Sequence, residues 1–176
     1  MGTTWHELET DLPAADLWEV YGGLLVGQLV TQLLPQLFSK VEVLDGDGDV
    51  STALLVTFAP APGTDASSGS CKDKFIKIDN ENYVKESEVI EGGFLDLGFR
   101  KYLVRFEIIR KEDKTSIIRS TVEYEVDEEH ISNASLVSTR VFASIAEATV
   151  NYIKDQKSSR QAPEQSSDEQ APTPEK

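Results

Sequence analysis

The stretch that decides the fold is residues 72–106, KDKFIKIDNENYVKESEVIEGGFLDLGFRKYLVRF. It predicts three consecutive strands joined by two tight turns, because residues 79–82 (DNEN) and 91–93 (EGG) are rich in turn-forming residue types. Tight turns between consecutive strands are typical of an antiparallel sheet. The stretch therefore predicts an antiparallel meander at the centre of the chain.

Lys85 is the residue of this meander that most strongly suggests a functional site. Successive side chains of a strand point to opposite faces, so Lys85 shares one face with Ser87 and Val89, while Glu86 and Glu88 share the other. Two interpretations remain open. Most lysines in strands are solvated, and a run of charges is typical of an outer face. A lysine on the inner face of a concave, partly apolar sheet would instead be a functional group.

The rest of the chain predicts an α+β fold. Further strands are predicted at residues 4–12, 39–44, 53–59 and 115–126, short helices at 14–21 and 24–34, and a long amphipathic helix at 136–157. The seven-stranded antiparallel sheet needs an apolar partner for its concave face, and the last helix supplies it. A cavity between sheet and helix and a filled core both remain open. Small residues of the helix would keep a cavity open, namely Ala143, Ser144, Ala146 and Ala148.

The predicted domain organisation is simple. Residues 1–158 have the size of one ordinary domain with its own core. Residues 159–176 are rich in Pro, Gln, Ser and Glu, which predicts a disordered acidic tail. Residues 60–70, PAPGTDASSGS, predict a flexible connection between two strands.

The composition narrows the class of partner and the cellular compartment. A formal net charge of −14 and a pI of about 4.5 argue against nucleic acid and anionic membrane surfaces as partners. A single cysteine, Cys71, excludes an internal disulfide and a Cys-rich zinc site. No apolar run reaches transmembrane length and no signal-peptide core is visible, so a cytoplasmic location is expected.

Residues 45–52, DGDGDVST, begin like a calcium-binding loop. Such a loop needs a glycine at its sixth position and a bidentate glutamate at its twelfth. These positions hold Val50 and Val56. The segment therefore predicts a glycine-rich hairpin loop, and no metal site is predicted.

The order of the elements and several blocks of sequence carry a resemblance to a known family. The blocks are the hairpin loop at residues 45–52, KFIKIDNENYVKESEVIEGGFLDLG at 74–98 and STVEYEVDEEH at 120–130. On these residues the chain resembles the plant pathogenesis-related class 10 (Bet v 1-like) proteins, and within them the norcoclaurine synthase and norbelladine synthase subgroup. The resemblance covers residues 5–155.

This resemblance implies a helix-grip fold with a tunnel-like cavity. It implies a lyase of alkaloid biosynthesis that condenses an arylethylamine such as dopamine with an aromatic aldehyde such as 4-hydroxyphenylacetaldehyde. The reaction is of the Pictet–Spengler type and needs no cofactor. The expected partners are these small-molecule amines and aldehydes, and the expected assembly is a monomer or weak homodimer.

The resemblance also implies roles for individual residues. Lys85 falls on the family's catalytic lysine, which protonates or polarises the carbonyl oxygen as the iminium forms. Asp73 falls on the glutamate that takes the aromatic proton after ring closure. Cys71 falls on a tyrosine near the tunnel entrance, and Val104 falls on a second carboxylate. Further candidates for substrate binding are the aromatic residues Phe75, Phe94 and Tyr102.

Two hypotheses of different classes follow. In the first, the protein is a condensing enzyme with Lys85 as acid and Asp73 as base. Ring closure is then expected to be slow, because Asp73 is shorter than glutamate and Val104 transfers no proton. Within this hypothesis, Val104 resembles the apolar residue of norbelladine synthase-like sequences, which direct an imine towards reduction. In the second, the protein is a non-catalytic carrier of small hydrophobic or alkaloid ligands.

Overall fold

The protein folds as a seven-stranded antiparallel sheet that packs around a long C-terminal helix. The computed structural model describes residues 1–60 and 69–170, with side chains described as far as residue 159. The strands are β1 (Gly2–Thr10), β2 (Phe38–Asp45), β3 (Ala53–Phe58), β4 (Ser70–Asp79), β5 (Val84–Gly92), β6 (Phe99–Glu112) and β7 (Thr115–Val126). The helices are α1 (Ala14–Tyr21), α2 (Leu25–Leu33) and α3 (Arg140–Gln170), with 3-10 helices at Gly93–Leu97 and Glu128–Leu136. The predicted α+β class is confirmed.

The strands lie in the order β1-β7-β6-β5-β4-β3-β2. The alternation predicted for the central meander is confirmed, because Lys85, Ser87 and Val89 of β5 are all buried. On the opposite face of β5, Glu86 forms an ion pair with Arg105 of β6 at 2.7 Å. The interpretation of Lys85 as a solvated residue is wrong, since its side chain is only 2% exposed.

The two connections of the meander differ from each other. The predicted turn after β4 is confirmed, and the Asp79 carboxylate accepts hydrogen bonds from the backbone N–H groups of Glu81 and Asn82 at 3.0 Å each. The second connection is longer than the predicted tight turn. Gly92 and Gly93 adopt positive φ angles of 76° and 54° and lead into the 3-10 helix Gly93–Leu97. This helix is too short to show a periodic sequence pattern.

Helix α1 is fixed to the turn between β4 and β5. The Trp18 indole Nε1 donates a hydrogen bond to Asn80 Oδ1 at 2.9 Å, and its ring stacks on Tyr83 with centroids 5.2 Å apart. Tyr83 directly precedes β5, and the Lys85 Nζ atom of that strand lies 3.1 Å from the backbone carbonyl oxygen of Tyr21, the last residue of α1. This docking therefore places the C-terminus of α1 over the face of β5 that carries Lys85.

Helix α3 covers the concave face with buried Ile145, Ala146, Val150 and Ile153. It continues to Gln170, past the predicted end at Lys157, because extending an existing helix needs no new nucleus. The disordered tail proposed for residues 159–176 stays a prediction, since side chains from residue 160 and all of residues 171–176 lie outside the described residues. Residues 61–68 of the predicted flexible connection also lie outside them. No helix within residues 1–60 and 69–170 has both the length and the apolar character to cross a membrane.

Gly98 ends the 3-10 helix that carries Phe94, and it offers a test of the fold. Its φ is +90°, and a Cβ atom there would overlap the imidazole ring of His130. We expect Gly98→Ala to lower the free energy of unfolding by about 1–3 kcal/mol, because it adds backbone strain and a steric clash. Urea denaturation measures this change.

Gly23→Ala is the matched control for that measurement. Nothing lies within 4 Å of a Cβ atom at Gly23, and its φ is not in the left-handed region. We expect this variant to change the free energy of unfolding by less than about 0.5 kcal/mol. Equal stability of the two variants would contradict the assigned conformation of Gly98.

Candidate active site

A cavity of about 670 Å³ lies between the concave face of the sheet, α2 and the beginning of α3. This volume is typical of sites that enclose a small molecule. The cavity walls are mostly apolar. They include Val26, Val30, Leu54, Val56, Phe58, Val89, Phe106, Val141, Phe142 and Ile145. The interpretation of the core as filled is therefore wrong.

Helix α3 lines the cavity with large side chains. Val141, Phe142 and Ile145 share one face of its first turns and contribute to the wall. The small residues expected to keep the space open, Ala143, Ser144, Ala146 and Ala148, are not among the lining residues. That expectation is wrong, because these residues lie on the other faces of α3 or further along it.

Lys85 projects from β5 towards the turn between α1 and α2. Its Nζ atom donates hydrogen bonds to the backbone carbonyl of Tyr21 at 3.1 Å and to that of Gly23 at 2.7 Å. Tyr21 is the last residue of α1, where carbonyl groups lack intrahelical partners and carry the negative end of the helix dipole. Nζ also lies 4.0 Å from the ring centroid of Phe75. An ammonium group has three N–H donors, so one remains for a ligand.

Burial lowers the pKa of Lys85 from its ordinary value of 10.5 to about 7. The low-dielectric surroundings disfavour the charged amine. Burial is the cause of this shift, and no neighbouring charge contributes to it. At neutral pH the residue is divided between ammonium and amine, which suits a group that gives up and regains a proton.

Asp73 of β4 lines the cavity and is half-buried. Burial raises the pKa of its carboxyl group from 3.8 to about 6, and the hydrogen bond from the Cys71 thiol acts in the opposite direction. The thiol Sγ lies 3.2 Å from Asp73 Oδ1. Burial and the charge of Asp73 raise the pKa of Cys71. Cys71 therefore serves as a hydrogen-bond donor to the carboxylate.

The predicted aromatic residues all line the cavity. Phe75 lies beneath the Lys85 amine, whereas Phe94 and Tyr102 stack on each other with ring centroids 4.4 Å apart. Burial, and then the charge of Asp73, raise the pKa of the Tyr102 phenol. The phenol therefore belongs to the carboxylate end of the cavity.

Val104 also lines the cavity, and its cross-strand neighbour on β5 is Ser87. Thus the structure brings all seven predicted site residues to one cavity, while their roles remain predictions. The sequence analysis missed the carbonyl groups of Tyr21 and Gly23 as partners of Lys85. It placed Ser87 on the inner face by strand parity but assigned it no role. The same parity was the signal that could have marked Ser87 as a site residue.

The two ionisable groups lie at separate levels of the sheet. Asp73 pairs with Val89, which follows Lys85 by four residues on β5. Four residues of a strand span about 13 Å. A ligand lying along β5 could therefore contact the amine near one end and the carboxylate near the other.

Residues 45–52 form the predicted hairpin loop, which connects β2 and β3. Its backbone is held by the Thr52 hydroxyl, which accepts a hydrogen bond from the Gly48 N–H at 2.9 Å. In the part of the chain that the structure describes, no group of three or more His, Cys, Asp and Glu side chains is placed to hold a metal ion.

An antiparallel sheet that packs around one long helix and encloses an apolar cavity defines a class of folds that can hold a small molecule. This chain belongs to the pathogenesis-related protein Bet v 1 family, whose sequence profile matches residues 1–156. The resemblance inferred from the sequence is confirmed.

Named relatives refine the comparison. A norbelladine synthase of Narcissus pseudonarcissus is 49% identical over 158 residues, covering 89% of this chain and 94% of the relative. An S-norcoclaurine synthase of Thalictrum flavum subsp. glaucum is 35% identical over 154 residues, covering 87% and 71%. The X-ray structure of norcoclaurine synthase from Thalictrum flavum in complex with dopamine and hydroxybenzaldehyde matches with a TM-score of 0.75 and 35% identity, covering 88% of this chain and 87% of that one.

The lowered pKa of Lys85 has a measurable consequence for stability. Between about pH 7 and 10.5 the unfolded chain binds the proton that the folded chain has lost. Stability therefore rises with pH in this window. We expect the stability of the wild type relative to Lys85→Met to increase by about 2 kcal/mol from pH 7 to pH 9.

Urea denaturation at pH 7, 8 and 9 measures this difference. Other groups that titrate in the window are common to both proteins and cancel. Lys74→Met, which removes an exposed lysine of the neighbouring strand, is the control and should follow the wild type at every pH. A pH-independent difference between wild type and Lys85→Met would show that Lys85 is not held in an environment that lowers its pKa.

Proposed function

We propose that the protein is a condensing enzyme of alkaloid biosynthesis that joins an arylethylamine and an aromatic aldehyde through an imine. The observation that carries this proposal is one lysine and one carboxylate, with pKa values of about 7 and 6, in a single apolar cavity. The names of the relatives support the reaction class. The complex of the Thalictrum enzyme with dopamine and hydroxybenzaldehyde supports the classes of substrate.

Lys85 is the group that activates the aldehyde in this proposal. Two of its N–H bonds are held by the carbonyl groups of Tyr21 and Gly23, so the third is oriented by the same contacts. It donates to the aldehyde oxygen and transfers a proton as the amine nitrogen attacks the carbonyl carbon. The carbon–oxygen π bond breaks, a carbon–nitrogen bond forms, and a carbinolamine results. The apolar surroundings strengthen this electrostatic stabilisation.

Asp73, at the other end of the cavity, accepts the proton that an arylethylammonium must lose before its nitrogen can attack the aldehyde. Arylethylamines are mostly protonated at neutral pH, like an ordinary lysine. A carboxylate with a pKa of about 6 accepts such a proton more readily than one with the ordinary value of 3.8. The extra proton on the carbinolamine nitrogen returns to the neutral Lys85 amine, which donates it to the carbinolamine hydroxyl, so that water leaves and the iminium forms. Loss of the remaining nitrogen-bound proton to the Lys85 amine completes the imine.

Ring closure of the iminium is the second candidate outcome of the reaction, beside release of the imine. In the Pictet–Spengler reaction an electron-rich ring carbon attacks the iminium carbon, and a base then removes the ring proton. Asp73 favours this outcome because it is a carboxylate with a raised pKa that lines the cavity. Val104 disfavours it, since an apolar side chain lies where a second carboxylate would assist. We therefore infer that imine release is faster than cyclisation.

The decisive experiment measures the initial rate of condensation of dopamine with 4-hydroxyphenylacetaldehyde. Imine is trapped with cyanoborohydride as the secondary amine, and cyclised product is separated by chiral chromatography. We expect Lys85→Met to lower the protein-dependent rate by about 10²-fold or more, because it removes the general acid. Lys74→Met, which alters only an exposed lysine, should retain the wild-type rate.

The same experiment separates enzyme from carrier. Ligand binding without acceleration over buffer would contradict the proposal and identify a carrier. An excess of one enantiomer in the cyclised product would identify protein-catalysed ring closure, because the reaction in solution gives a racemate.

Val104 tests why cyclisation is slow. We expect Val104→Asp combined with Asp73→Glu to raise the cyclised fraction of product, since a second carboxylate supplies proton transfer worth ~10²–10⁴-fold when well placed. The new buried charge should lower stability. Val104→Leu is the control, because it preserves the apolar character and should leave the product ratio unchanged. A folded double variant with no gain in cyclised product would show that position 104 does not limit ring closure.

A further inference from the structure

Ser87 is a cavity residue with an unusual hydroxyl group. Its side chain lines the cavity and is 8% exposed. Its Oγ atom is buried and has no hydrogen-bond partner among the described residues. A buried hydroxyl without a partner has lost its hydrogen bonds to water and gained none in return, which costs free energy.

The position of Ser87 relates it to both ionisable groups. It lies two residues after Lys85 on β5 and two residues before Val89, whose cross-strand neighbour is Asp73. Two residues of a strand span about 6.6 Å. Ser87 is therefore midway, along the sheet, between the level of the amine and the level of the carboxylate.

The surroundings of Ser87 define what can bind there. Its cross-strand neighbours are Phe75 on one side and Val104 on the other, and both line the cavity. An aromatic ring is suited to pack against these two apolar side chains. A hydroxyl group on that ring could then reach Oγ, because a serine side chain can rotate among staggered positions that direct its oxygen differently.

We propose that Ser87 is a specificity-determining residue that exchanges a hydrogen bond with a phenolic hydroxyl group of the bound substrate. The inference rests on the proposed function for the substrate classes, since either the arylethylamine or the aromatic aldehyde can carry the phenol. A substrate with the hydroxyl satisfies the Ser87 oxygen. An analogue without it leaves that oxygen unpaired, so it binds more weakly.

Ser120 provides a matched control within the same sheet. It lies on the inner face of β7, is fully buried, and also has a hydroxyl group without a partner among the described residues. Its cross-strand neighbours are His6 and Phe106, and it is not among the residues that line the cavity. The two serines therefore share burial and lack of partners and differ in contact with the cavity.

The test is equilibrium binding, which needs no turnover. Isothermal calorimetry compares tyramine with phenethylamine, and 4-hydroxybenzaldehyde with benzaldehyde, so that each pair differs by one phenolic hydroxyl. The proteins are the wild type, Ser87→Ala, Ser120→Ala and the isosteric pair Ser87→Thr and Ser87→Val. The isosteric pair differs only by the hydroxyl and keeps the comparison valid if the alanine variant folds poorly.

We expect the wild type to prefer the hydroxylated member of at least one pair by about tenfold, the value of one hydrogen bond. The pair that shows the preference identifies whether the amine or the aldehyde lies at Ser87. Ser87→Ala and Ser87→Val should abolish the preference by weakening only the hydroxylated ligand. Ser87→Thr and Ser120→Ala should retain it.

A preference that survives in Ser87→Ala and Ser87→Val, or no preference in the wild type, would overturn the assignment. These results are independent of the proposed reaction. If condensation is not accelerated but the preference depends on Ser87, the proposed catalysis fails and the binding role stands. If condensation is accelerated and the preference survives removal of the Ser87 hydroxyl, the binding role of Ser87 fails and the proposed catalysis stands.

Discussion

The rest of the structure depends on the two hydrogen bonds that the buried Lys85 side chain donates to backbone carbonyl groups. A charge removed from water must find hydrogen-bond acceptors within the protein. The carbonyl groups of Tyr21 and Gly23 are those acceptors, so α1 has to end directly above β5. The docking of Trp18 onto the turn between β4 and β5 holds α1 in this place. The apolar cavity then lowers the pKa of the amine to the range in which it can exchange protons.

Most of the fold could be predicted from the sequence because its signals are local. Alternation in β5, β6 and β7, turn chemistry at residues 79–82 and the apolar spacing of the last helix each depend on neighbours in the chain. The 3-10 helix Gly93–Leu97 was missed because one turn has no period to detect. The end of α3 was misplaced because polar helix formers such as Gln and Glu are equally common in disordered segments.

The candidate site could be predicted only in part. Strand parity placed Lys85 on the inner face, and family resemblance located Asp73 and the aromatic residues of the wall. The acceptors of Lys85 are backbone carbonyl groups, which every residue has and which therefore leave no sequence signal. The pairing of the Cys71 thiol with Asp73 depends on rotamers. The unpaired state of Ser87 became visible only when all of its neighbours were known.

The pairing of β1 with β7 has a consequence for how the protein reaches its native state. Gly2 lies opposite Tyr124, and Thr10 lies opposite Ser116, so the sheet joins residues that are far apart in the chain. Such long-range pairing is typical of domains that fold slowly, in milliseconds to seconds. During synthesis all seven strands and both short helices precede α3, so the part of the apolar inner face that α3 covers stays exposed until that helix emerges. The nascent chain is therefore prone to aggregation until that helix is made.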